Sequence, residues 1–161
     1  MTSKNLVGAK LYISLAVIFG FIFGVFMGGL VGTVADEVPD RMSSYDHVSE
    51  EEIMLVGNDM YISFNDKDMK WSKFENTNSM DPLLDEGYNG FEFIPKSEDD
   101  IYLGDVVSFE YEGSIMIHRV VEMGEDENGW YALTKGDNLE KIDYGKRRFK
   151  DIKGVLVGVI F

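Results

Sequence analysis

Hydrophobic positions along the chain form one long block followed by several short ones. Leu11 to Val34 runs 24 residues without a charged side chain. As a helix rising about 1.5 Å per residue it would reach roughly 36 Å, enough to cross a hydrocarbon core with some tilt. The pattern therefore predicts a retained membrane anchor over residues 1–35, with the span at about 11–34. A cleaved signal peptide ending near Thr33-Val34-Ala35 is the competing expectation, but the apolar stretch well exceeds the usual core of about 7 to 15 residues. Gly20, Gly24, Gly28 and Gly32 recur every four residues and line a stripe on which a second helix could pack. Glycine is also common in membrane helices for no such reason.

Residues 36–76 read as an acidic juxtamembrane linker. Asp36 to Glu52 is rich in acid and serine, and His47 within it carries no assigned role. "IMLVGNDMYISF" then sets two apolar runs around Gly57-Asn58-Asp59, a hairpin expected to lengthen a sheet. Trp71 and Phe74 stand in polar surroundings, where interface anchoring and ordinary packing account for them equally well.

Over residues 77–161, turn signals alternate with strand-length runs. Asn89-Gly90 precedes "FEFI", Leu103-Gly104-Asp105 precedes "VVSFEY", Glu112-Gly113 precedes "IMIHRVVEM", and Glu127-Asn128-Gly129 precedes "WYALT". A last run, "GVLVGVIF", is apolar on both faces and far too short to cross a membrane, so it is expected to be a buried closing strand. The fold class expected is mainly β: one N-terminal transmembrane helix followed by a β-rich domain.

Charge and composition narrow the function. Fifteen Lys and Arg against 29 Asp and Glu give a formal net charge of -14, which repels phosphate backbones and argues against nucleic acid as a partner. The absence of cysteine excludes disulfides, thiolate nucleophiles and Cys-based zinc sites. Lys4 and Lys10 precede the span whereas Asp36, Glu37 and Asp40 follow it, so the positive-inside rule places residues 36–161 outside the cytoplasm. Arg41 weighs the other way.

Three stretches bear groups suited to acyl transfer. "TNSMDP" holds Ser79 two residues after Thr77, "SIMIHRVVEM" holds His118, and "TKGDNLEKID" holds Asp137 and Asp143. In the second, alternation sets Ile115, Ile117, Arg119 and Val121 on one strand face and Met116, His118 and Val120 on the other. A serine hydroxyl needs a base to take its proton, an imidazole suits that task, and a carboxylate can hold the imidazole's tautomer. Each stretch alone reads as an ordinary loop or a hydrogen-bonded strand histidine. His118 with Asp137 and Asp143 could also supply three nitrogen and oxygen ligands to zinc, but nothing else in the sequence supports a metal, and no cofactor is expected.

Taken together and in order, the motifs resemble those of type I signal peptidases, in the archaeal and endoplasmic-reticulum-like branch whose general base is histidine. "NSMDP" matches the serine box, "GDVVSF" the following Gly-Asp box, "IHRVVE" the base box and "TKGDN" the acid box. The resemblance spans Thr77 to Phe161 and implies a compact, coiled antiparallel β-sheet catalytic domain. It also implies a membrane-bound serine endopeptidase acting on signal-peptide-bearing preproteins at the outer face of the cytoplasmic, or an endoplasmic-reticulum-like, membrane. By carry-over Ser79 is the nucleophile, His118 the base, Asp143 the favoured orienter of His118, and Asp137 a loop-supporting acid, with the two acids' roles open to exchange. Thr77 would help bind the oxyanion, and Met80 and Pro82 would shape the turn and a substrate wall. Asn78 stands where the family has glycine. Two other classes remain: a self-cleaving regulator of the related repressor type, disfavoured by the span and by the histidine, and a membrane-tethered β-domain that binds a partner without catalysis.

Overall fold

The computed structural model describes residues 42–161. The span at 11–34 and its glycine stripe lie outside the described residues. Among the described residues no helix is long and apolar enough to cross a membrane, and the helical turns are short 3-10 segments at Glu50–Glu52, Glu98–Asp100 and Phe149–Asp151. The other regular elements are antiparallel strands, joined by turns and loops.

Eight strands follow in chain order: β1 (Ile53–Val56), β2 (Asp59–Ile62), β3 (Asp68–Lys73), β4 (Asn89–Ile94), β5 (Val106–Tyr111), β6 (Ser114–Asp126), β7 (Gly129–Lys135) and β8 (Ile152–Ile160). The last six form one sheet in the order β3-β4-β8-β5-β6-β7. The closing run expected from its apolar pattern is thus an interior strand, between β4 and β5. The hairpin forms at the expected place, but among the described residues β1 and β2 pair only with each other and extend no larger sheet. Both faces of that ribbon are exposed among the described residues, with Leu55 75% exposed on one and Met54 56% on the other.

Alternation along the strands divides the core between two faces. Val107 and Phe109 of β5 join Phe93, Val120, Ala132 and Val155 in the larger cluster. Val106 joins Met80, Leu84 and Leu156 in the smaller one, against which Phe74 and Ile117 pack. Phe74 is therefore a packing residue, whereas Trp71 is 61% exposed and donates from Nε1 to Asn89 Oδ1 at 3.1 Å.

The stretch read from sequence as linker contributes to the domain. It supplies β3, an edge strand paired with β4 from Asp68 opposite Ile94 to Lys73 opposite Asn89. His47 docks 58 positions away on the fully buried Asp105, with Nε2 2.9 Å from Oδ2, while Tyr45 N–H donates to Oδ1 of the same carboxylate. Asp105 thus fastens the segment that precedes the sheet.

β6 positions the site. It pairs with β5 from Ser114 to Arg119, but its pairing with β7 begins only at Arg119, opposite Lys135. Among the described residues no strand covers the other edge of Ser114–His118.

Candidate active site

A cleft of about 780 Å³ runs along that open edge. It is lined by Ser114 to His118 of β6, by Thr77, Ser79 and Met80 of the serine loop, and by Leu139 of the acid loop. Successive β6 side chains point to opposite faces, so a cleft touching five in a row follows the strand's rim. Ser79 and His118 both line it; Met80, next to Ser79, packs in the smaller cluster, while His118 lies opposite Val107 and edge-on to Phe109 of the larger one.

His118 is buried and its Nδ1 lies 2.7 Å from Asp143 Oδ2. The same oxygen accepts a hydrogen bond from Thr134 Oγ1 at 2.7 Å, and the Asp143 N–H donates to the Thr134 carbonyl at 2.8 Å. This fixes which ring nitrogen faces the acid and leaves Nε2 as the nitrogen able to take a proton. Burial pushes the Asp143 carboxyl up, but the hydrogen bonds from His118 and Thr134, with the charges of His118 and Arg147, outweigh it and hold the group below its ordinary value.

Asp137 is engaged elsewhere. It takes both prongs of Arg119, Nε to Oδ1 at 2.8 Å and Nη2 to Oδ2 at 2.7 Å, while Arg119 Nη1 donates to the Gly104 carbonyl at 2.7 Å. With that carboxylate taken by a guanidinium, His118, Asp137 and Asp143 do not converge, and among the described residues no group of three or more His, Asp or Glu side chains could hold a metal ion.

Ser79 Oγ lies 3.0 Å from Thr77 Oγ1 and bonds to it rather than to the His118 ring. Between them Asn78 has a φ of 55°, a left-handed conformation that asparagine enters more readily than most residues. Glycine is the other residue that takes this conformation at little cost.

One loop serves both halves of the site. Asn138 N–H donates to the Ser79 carbonyl and its side-chain amide to the Asn78 carbonyl, each at 2.9 Å, while Asp137 N–H donates to Met80 Sδ at 3.4 Å. Gly136 lies so close to the serine loop that a Cβ there would stand 2.6 Å from the Ser79 carbonyl oxygen. Seven residues after Gly136, the same loop delivers Asp143 to His118. Sequence reasoning passed over Arg119, Thr134, Gly136 and Asn138 as functional residues, although all four lie inside or beside the "IHRVVE" and "TKGDN" boxes.

In comparisons with known proteins, the chain matches no protein-family model and no curated protein.

Proposed function

We propose that the protein is a membrane-anchored serine endopeptidase that removes signal peptides from secretory preproteins, with Ser79 as nucleophile, His118 as general base and Asp143 as its orienter. The observation that carries this reading is the pairing of His118 with Asp143 and of Ser79 with Thr77 along one cleft, both braced by the loop from Thr134 to Asp143.

A preprotein segment adds as an extended strand beside Ser114–His118, satisfying the open edge through main-chain hydrogen bonds. The Ser79 hydroxyl turns from Thr77 toward His118 Nε2; catalytic hydrogen bonds often close only when substrate is bound. Ser79 Oγ attacks the scissile carbonyl as its proton passes to the imidazole, and Asp143 stabilises the imidazolium. The Thr77 hydroxyl and the Ser79 N–H stabilise the oxyanion. His118 returns the proton to the leaving amine, the mature chain departs, and water activated by the same imidazole hydrolyses the acyl-enzyme and frees the signal peptide.

Residues 11–34 anchor the enzyme, with Gly20, Gly24, Gly28 and Gly32 available to a neighbouring helix, and the catalytic domain lies on the extracytoplasmic side where preproteins emerge. No metal or cofactor takes part. A tethered β-domain that binds a partner without catalysis is the second reading, favoured by the open apolar faces of the β1–β2 ribbon. Membranes bearing the full chain should cleave a signal-peptide-bearing precursor, and His118→Ala should abolish that. Undiminished cleavage by His118→Ala removes the base, and no cleavage by the unaltered protein favours the binding domain.

A further inference from the structure

The cleft has a charged floor that acyl transfer leaves unused. Glu92 of β4 is 1% exposed, yet it lines the cleft together with Ser72 of β3 and Ser108 of β5. Its Oε1 accepts from Ser72 Oγ, and its Oε2 accepts from Ser108 Oγ and from Lys70 Nζ, the lysine at 3.2 Å. Lys70 also donates to Ser108 Oγ at 3.0 Å. Strand β8, which separates β4 from β5, presents Gly154 at this point, where a Cβ would overlap Glu92 Oε2 and Lys70 Cε. The missing side chain makes room for the cluster.

Fold stability does not require such a group. Apolar residues of similar volume commonly replace a buried ion pair without loss, and the neighbours on this face, Val106, Leu156 and Ile117, are already apolar. What the cluster adds is a defined hydrogen-bonding character. Both serine protons go to Glu92, and Lys70, which does not line the cleft, gives two of its three protons to Glu92 and Ser108, so the capacity left facing the cleft consists of acceptors: the second lone pair of Glu92 Oε1 and the remaining lone pairs on Ser72 and Ser108. Glu92 and Lys70 cancel in charge. Ser108 lies directly opposite Ile117, so this floor begins one strand in from the edge on which an extended peptide would add.

The geometry points to a substrate subsite for a neutral, hydrogen-bond-donating side chain, a hydroxyl or carboxamide, at one position shortly before the scissile bond. An aliphatic side chain would leave desolvated acceptors unpaired, a carboxylate would face Glu92, and an ammonium would add an unbalanced buried charge. The inference rests on the protease reading and deepens it.

The test uses the full-length protein in detergent with precursor peptides carrying Ser, Asn, Leu, Asp or Lys at each of the four positions before the cut. At one position Ser and Asn should exceed Leu in kcat/KM by about ten-fold, the effect of one stranded buried acceptor, with Asp the poorest. Replacing the charged pair together, Glu92→Leu with Lys70→Met, removes the Glu92 acceptors without stranding a charge and should shrink that preference to about two-fold, read as the ratio of Asn to Leu kcat/KM within the one variant. Cleavage by the unaltered protein with no such preference, or a preference that survives the paired replacement, overturns the subsite while leaving the protease reading standing. Fluorescence anisotropy of the same peptides on Ser79→Ala separates the two ideas further. Binding that favours Ser over Leu without any cleavage by the unaltered protein supports the subsite and sinks the protease reading; absence of both binding and cleavage sinks both.

Discussion

Replacing Asp143 by Asn isolates the charge that the proposed base depends on. Asp143 Oδ2 receives both the His118 Nδ1–H and the Thr134 hydroxyl, each at 2.7 Å. An asparagine that turns its amide oxygen to those two donors keeps both hydrogen bonds and the side-chain volume, so the fold should persist. What it loses is the negative charge beside an imidazolium formed in the transition state. Two unit charges about 4 Å apart interact by about 4 kcal/mol at an effective dielectric near 20, corresponding to about 10³-fold in rate. If the amide nitrogen instead faces the ring, the wrong tautomer is held and the loss approaches 10⁴-fold. The assay is kcat/KM on a signal-peptide-bearing substrate, with the melting temperature recorded in parallel. A variant within about three-fold of the unaltered protein would refute the assignment, because a carboxylate in that contact cannot be catalytically neutral if His118 is the base.

Asp137→Asn should behave oppositely, losing about 3 kcal/mol of stability in chemical unfolding because it breaks the enclosed pair with Arg119, while cleavage by the remaining folded protein falls far less. Thr77→Val should lower kcat by about 10²- to 10³-fold with little change in KM, as expected for loss of one oxyanion donor, which steady-state kinetics will show. Gly136→Ala places a Cβ against the Ser79 carbonyl oxygen and should displace the serine loop, reducing kcat by about 10²-fold through misplacement of the nucleophile. Asp143 and Asp126, the latter held by Arg148 and Lys146, both have carboxyls below their ordinary value when folded. Such groups bind fewer protons in the folded state, so their stabilisation is present above about pH 4 and is lost as pH falls further, toward their folded values. Melting temperatures from pH 6 to pH 2 should show this fall, and Asp126→Asn should flatten it.

The strands from β4 onward were legible because turn residues punctuate them and their apolar runs have strand length. β3 was not. "DMKWSK" carries two lysines and only two apolar residues, Met69 and Trp71, too few to mark a strand, because an edge strand leaves Trp71 to solvent and Lys70 turns inward to meet Glu92 and Ser108. The docking of His47 was equally hidden, since its partner Asp105 acts through the tertiary fold rather than through spacing. Sequence spacing left Asp137 and Asp143 as rival acids. They are separated by what faces each of them: Arg119, on the strand face opposite to His118, reaches the first, and the loop's return to Thr134 carries the second to the ring. The Glu92 cluster could not be anticipated, because its four members come from three strands and depend on a side chain that Gly154 lacks.

The most direct test of the central claim is rapid-quench mass spectrometry of the full-length protein mixed with a precursor, followed by digestion and identification of the acylated peptide. The account requires a transient ester on Ser79 whose added mass equals the free signal-peptide fragment less one water, absent from Ser79→Ala. Turnover that persists in Ser79→Ala, or an adduct on any other residue, would contradict it.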